Sequence, residues 1–287
     1  MTSALQRATL RARQQTPENH MSALPRRFWH EMTTTDFSEN DTSEWIAVLP
    51  IAAIEQHGPH LPVYTDTCIA EGQVTRTVEL LPDNLPVTFL PVQAVGKSDE
   101  HHSFPGTLSL TWETAVKAWI EIGECVARAG IRKLVLANSH GGNSPLMDII
   151  TRDLRLKHNM LAVESSWLRF GQPEGLYSAE EFTYGIHGGD IETSIMLALR
   201  PDLVRMDQAT DFTSTQTNHI NNDAYLRAHG RHQYGWMSED LNKTGALGNA
   251  TLATAEKGQA SLTHASQEFI KLLRDVQRFD MSSFNKS

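Results

Sequence analysis

The chain has 287 residues, 40% apolar and 21% charged, and carries a formal net charge of −9. That is ordinary globular composition with length enough for a sizeable core, and its acidic balance argues against nucleic acid as a partner. No apolar run reaches the roughly 18 residues that a membrane span needs, and two cysteines, Cys68 and Cys125, cannot build a disulfide framework, so a cytoplasmic location is expected.

Residues 1–24 lack the apolar core of a signal peptide and are expected to be an unstructured extension, with Met21 as an alternative start. A single domain over 25–287 should follow. Its first strand spans Glu44–Ile54, and the loop EQHGPHLPVYTD leads from it into a helix over Asp66–Leu81. A second strand, Val87–Val95, precedes the loop Lys97–Thr107 and a helix over Trp112–Ala129. The third strand, Lys133–Asn138, opens into NSHGGN and a helix over Pro145–Leu156, and a fourth strand covers Met160–Ser165. Next comes IHGGDIETS, running into the apolar IMLALR. The polar segment Phe212–Gly248 has the length of a lid, a binding loop or an oligomer contact, and a helix over Thr251–Arg278 closes the chain. Strands alternating with helices imply βαβ units and a mainly parallel sheet covered on both faces.

Ligands bind beyond the carboxyl ends of such strands, and there the polar residues gather. Glu55 and His57 are two apart at a strand end, so both can point to one side, and Asp66 returns after the turn at Gly58, Pro59 and Pro62. Imidazole mixed with carboxylate suits zinc, manganese or iron better than magnesium or calcium. A shared carboxylate could bridge two ions. Any one of these residues could equally be a solvated loop polar; three histidine-bearing loops at one sheet edge favour a site. His140 stands before two glycines that permit close backbone approach. In the fourth segment, Asp190 near a helix start gains from the dipole alone. His187 is placed as a proton donor or substrate contact, and Glu192 as a metal ligand or base.

Together LPIAAIEQHGPHLPVYTDT, GKSDEHHSFPGTLSL, NSHGGN, HGGDIETS and GALGNATLATAEKG resemble the creatininase family of metal-dependent amidohydrolases. The family forms are E-x-H-G-x-H-L-P with a later Asp, G-x-S-x-E-H-x-x-F-P-G-T, N-G-H-G-G-N and H-A-G-E-x-E-T-S. The resemblance implies a three-layer α/β/α sandwich and a homo-oligomer, often a hexamer. It also implies two divalent ions per chain, zinc first, with manganese or iron as alternatives. Carried over, Glu55, Asp66 and His140 hold one ion and His57 and Asp66 the other. Creatinine-hydrolysing members complete the second ion's shell with a glutamate where this chain has Gly142, so Glu192 is the expected replacement. Ser139, Gly188 and Asp190 also depart from the family pattern. Thr183 and Tyr184 stand where those members carry a Trp-Asp pair, so creatinine is not the expected substrate.

The implied reaction is attack by a metal-bound hydroxide on the C–N bond of a small cyclic or linear amide. Ser98, the amides around Gly141, and Tyr184 are the expected substrate contacts. His187 would be the general acid, with Glu192 a further catalytic candidate, and His60 and Glu100 would orient ligands from behind. Three other bonds fit the same metals: a lactone, a formamide, or the C–C bond of a cyclic keto-sugar. Peptide cleavage in cofactor maturation fits too, and a non-catalytic metal-stabilised binding protein is the remaining reading.

Overall fold

The structure is a computed structural model that describes residues 24–230 and 232–284. Strands β1 (Ile46–Ile51), β2 (Val87–Phe89), β3 (Lys133–Asn138) and β4 (Leu161–Ser166) form a parallel sheet in the order β2-β1-β3-β4. The helices in chain order are α1 (Thr34–Ser38), α2 (Thr65–Leu80), α3 (Trp112–Arg128), α4 (Ser144–His158), α5 (Ala179–Tyr184), α6 (Asp190–Leu199), α7 (Gln216–Asn222), α8 (Ser238–Leu241) and α9 (Ala255–Arg278).

Every residue of β1 and β3 is buried, because the pleat sends alternate side chains into two separate cores. Ala47, Leu49 and Ile51 pack with Trp119 and Val126 of α3 and with Ile150 and Leu154 of α4. Ile46 and Val48 face the other way, onto Val74 of α2 and Phe269 and Leu273 of α9. The result is a three-layer α/β/α sandwich. Helix α6 lies against α2 and α9 through Ile191, Ile195 and Met196, which pack with Ile69 and Leu262. Gly258 lets α9 approach α6 closely, since a Cβ there would overlap the Ser194 backbone. Phe269 is fully buried, so Phe269→Ala should cost about 3–5 kcal/mol.

Strand order makes the site. From β1 the chain crosses to β2 on one side, then returns to lay β3 on the other. The crevice where connections diverge is where open α/β sheets bind ligands, and here it lies between the carboxyl ends of β1 and β3.

The apolar run Val87–Val95 stays in the ladder only in part, rejoining β1 after Phe89 through a single bridge, Ile51↔Gln93. Regular pairing of β1 with β2 stops at Val48↔Phe89. Pro50, whose nitrogen falls on the β2 side, has no N–H to give, and Pro91 follows in the partner. The segment read as a loop over 212–248 contains α7 and α8 and is tied at its ends by a short antiparallel ribbon, β5 (Asp211–Phe212) with β6 (Gly248–Asn249). The expected extension over 1–24 lies outside the described residues except for Leu24, which packs on the core containing Trp45 and Trp119. Among the described residues no helix is long and apolar enough to cross a membrane.

Candidate metal centre

Three loops are sewn together by one side chain. Asn143 accepts from Lys97 N at 2.9 Å and donates to Ala52 O at 3.1 Å, joining the loops after β3, β2 and β1. Ser139, where the family pattern has glycine, donates to Asp66 O at 3.0 Å and fixes the first turn of α2.

Within this frame Glu55, His57, Asp66 and His140 converge, all of them buried. Asp66 reaches both imidazoles: its Oδ1 lies 3.4 Å from His57 Nε2 and its Oδ2 lies 3.3 Å from His140 Nδ1. Glu55 Oε2 lies 3.2 Å from His140 Nε2. Glu192, in the first turn of α6, brings Oε2 to 3.7 Å from His57 Nε2 and also accepts from Gly188 N at 2.6 Å.

The hydrogen bonds assign ring protons. His57 Nδ1 gives its proton to Glu55 O at 3.0 Å, leaving Nε2 bare. His140 Nε2 donates to Lys97 O at 3.0 Å, leaving Nδ1 bare toward Asp66. Glu55 Oε1, His57 Nε2 and Asp66 Oδ2 are buried without a hydrogen-bond partner. Ligating atoms from these three residues come within 4.8 Å of one another, and His57, His187 and Glu192 form a second such group. Buried polar atoms are nearly always paired, so unpartnered atoms within one such cluster fit a divalent cation. The nitrogen and oxygen donor set is that of zinc, manganese or iron.

Without ions the same charges hold protons. Burial lowers the His57 pKa, but Asp66, Glu192 and Glu55 outweigh it and raise it to about 9. His140 is likewise held well above its usual value, against burial, by Glu55 and Asp66. Asp66 stays well below the carboxylate range despite burial, because His57 and His140 flank it. Burial pushes Glu55 up and Glu192 to about 7.

The other expected residues fall in different places. Ser98 is fully buried and donates to Glu55 Oε2 at 2.5 Å, which puts it behind the carboxylate. Glu100 Oε1 lies 3.6 Å from His140 Nε2, with Lys97 Nζ 3.4 Å from its other oxygen. His60 Nε2 binds Gly188 O at 2.9 Å and its ring stacks on Phe212, so it braces the loop before α6. Gly141 is exposed. Tyr184 lines a separate cavity of about 220 Å³ with Glu181 and Phe212, away from the clustered histidines. His187 is buried, with Nδ1 3.6 Å from Glu55 Oε1 and its ring stacked 4.0 Å from His57. His101 and Gln56 had no role assigned from the sequence. His101 is buried at the centre, 3.4 Å from Glu55 Oε1 and stacked 4.2 Å from His187. A depression of about 380 Å³, walled by Leu61, Val63, Phe104 and Pro105, reaches Gln56 and His57 from outside.

A doubly covered parallel sheet with a buried carboxylate–imidazole cluster at its switch point defines an α/β protein of the metal-dependent hydrolase type. The chain belongs to the creatininase family, whose profile, described as creatinine amidohydrolase, matches residues 30–273. It is 33% identical over 219 residues to the mycofactocin precursor peptide peptidase of Mycobacterium tuberculosis (strain CDC 1551 / Oshkosh), covering 74% of this chain and 78% of that protein. It is 34% identical over 178 residues to the creatinine amidohydrolase of Pseudomonas putida, covering 58% and 68%. Solved creatininases described as Mn and as mutant Zn-Zn type superpose with TM-scores of 0.69 and 0.68 at 26% identity, over 88% of this chain and 99% and 98% of theirs.

Proposed function

We propose that this chain is a metal-dependent hydrolase that cleaves the C–N bond of a cyclic or linear amide other than creatinine. In this reading Glu55, His57, Asp66, His140 and Glu192 would hold two divalent ions. The observation that carries it is that Glu55, His57 and Asp66 bring ligating atoms within 4.8 Å of one another, and each has a buried atom without a hydrogen-bond partner (Oε1, Nε2 and Oδ2). Relatives named as an amidohydrolase and a peptidase support a C–N bond as the target. The peptidase matches over the larger share of the chain, which favours a peptide as a second form of substrate. Thr183 and Tyr184, in place of the Trp-Asp pair of creatinine-hydrolysing members, weigh against creatinine.

Bound ions would lower the pKa of water to about 7 and polarise the scissile carbonyl. The chain's own groups do the rest. Ser98 and His140 hold Glu55 Oε2, so Oε1 is the oxygen left to face the reaction. His187 keeps its Nε2 proton on Gln56 O at 2.6 Å, so Nδ1 is free to take a proton from the attacking water and pass it to the leaving nitrogen. Burial, with His57 and His101 beside it, holds His187 well below its usual pKa and therefore neutral at the start. Glu100 and His60 brace His140 and the loop before α6. A homo-oligomer working in the cytoplasm completes the proposal.

The test is direct. The purified chain is stripped, reloaded with zinc, manganese or iron, and its ions are counted. It is then assayed against lactams, formamides, short peptides, lactones and cyclic keto-polyols. About two ions per chain with turnover of an amide is the expected result. Turnover of a lactone or keto-polyol alone would move the reading to another bond. Failure to bind metal would end it.

A further inference from the structure

We propose that Gln56 is a positioning residue that gives His101 and His187 opposite roles toward one oxygen of Glu55. Its functional consequence rests on the hydrolase reading; the assignment itself does not.

Gln56 is buried, and its amide orientation is fixed because Oε1 accepts from Gly58 N at 2.9 Å. Its Nε2 must therefore donate. Three atoms lie within reach: His101 Nδ1 at 2.7 Å, Gly245 O at 3.0 Å and His187 Nε2 at 3.2 Å. The last is itself a donor, to Gln56 O at 2.6 Å, so the two protons go to His101 Nδ1 and Gly245 O. With Nδ1 accepting, His101 in its neutral form carries its proton on Nε2, the nitrogen 3.4 Å from Glu55 Oε1. The backbone of Gln56 does the reverse for the neighbouring ring. Gln56 O accepts from His187 Nε2 at 2.6 Å, so His187 turns a bare Nδ1 toward the same Oε1 at 3.6 Å.

One residue thus sets a donor and an acceptor side by side over an otherwise unpartnered carboxylate oxygen. The positions of Glu55, His101 and His187 would suit a third cation group, but a protonated Nε2 removes His101 from any ligand set. His101 instead turns its Nε2–H toward Glu55 Oε1 at 3.4 Å, and only His187 offers that oxygen a bare nitrogen. A Cβ on Gly245 would overlap the Gln56 amide, so glycine there is what lets the amide reach both partners.

The experiment is long-range proton–nitrogen NMR on the ¹⁵N-labelled full chain, metal-free and zinc-loaded, which reports which ring nitrogen of each histidine is protonated. Signals are assigned with His101→Asn and His187→Asn. In the native chain both His101 and His187 should carry the proton on Nε2. In Gln56→Glu the carboxylate can still accept from Gly58 N but has no proton for His101. His101 should then gain an Nδ1 proton, while His187, held by a backbone carbonyl, keeps its pattern and bound zinc is unchanged. An Nδ1 proton on native His101, or a bare Nδ1 on His101 in the folded variant, overturns the assignment. If the variant does not fold, the native spectrum alone decides it. The expected pattern in a chain that hydrolyses no amide would support the assignment and count against the hydrolase reading only.

Discussion

Gly142 and Glu100 share one space. A Cβ on Gly142 would overlap both Glu100 Oε1 and His140 Nε2 and would come within 2.8 Å of Lys97 O. The third loop can therefore carry no side chain at this position while Glu100 stands against His140. Gly142→Ala must push one of them aside, at a cost of about 1–3 kcal/mol for overpacking. The variant should melt lower and bind zinc more weakly. Calorimetry with and without zinc measures both, and unchanged zinc affinity would mean that Glu100 does not support His140.

Replacing a ligand should separate from replacing the proton carrier. Glu55→Gln and His140→Ala remove donors from the cluster, and both should lose bound metal together with turnover. His187→Ala leaves Glu55, His57, Asp66 and His140 in place. It should keep its ions while losing about 10²–10⁴ in rate, the usual worth of a positioned acid or base. Elemental analysis beside turnover distinguishes the two classes, and full metal content in both ligand variants would refute the assignment.

The sandwich is legible because β1, β3 and β4 read as compact apolar runs, and the helices between them start and stop within about two residues of their expected bounds. The second strand is not, because the run Val87–Val95 says nothing of Pro50 across the ladder, which interrupts pairing between Phe89 and the bridge at Gln93. Glu55, His57, Asp66 and His140 can be picked out at strand ends by residue type. Gln56 and His101 cannot. Their contact joins loops 45 residues apart, and the bond from His187 to Gln56 spans 131. Ser98 illustrates the same limit: a hydroxyl expected to meet substrate is turned back onto Glu55, a direction that spacing does not encode.

Asp190, which helix-dipole reasoning could account for by position alone, has a specific partner. It is 3% exposed, receives Lys257 Nζ at 2.6 Å and Ser194 Oγ at 3.0 Å, and so ties α6 to the start of α9. Lys257→Met would leave a buried carboxylate without its cation, which costs on the order of 3 kcal/mol. Urea denaturation should show that loss, and Asp190→Asn combined with Lys257→Met should recover part of it. A double variant no more stable than the single one would mean that the pair contributes packing rather than charge.

The cluster's charges set opposite pH trends for the empty and the loaded protein. His57 has a folded pKa of about 9 against 6.5 for the free group, and Glu192 about 7 against 4.5. For both, the folded chain binds more protons than the unfolded one, so their contribution is complete below the unfolded value and is lost as pH rises through the folded one. Asp66 runs the other way: its pKa is depressed, and its contribution is lost only in acid. His60, His101 and His187, all held below their usual pKa, oppose this trend only in the range where free imidazole titrates, so the metal-free protein should lose stability between about pH 7 and pH 9. Zinc needs His57 Nε2 bare and Glu192 ionised, so its apparent affinity should climb over the same interval and level off near pH 9. Melting curves across that range, with and without zinc, should diverge as pH rises. Parallel curves would mean that protons and zinc do not compete for the lone pairs of His57 and Glu192.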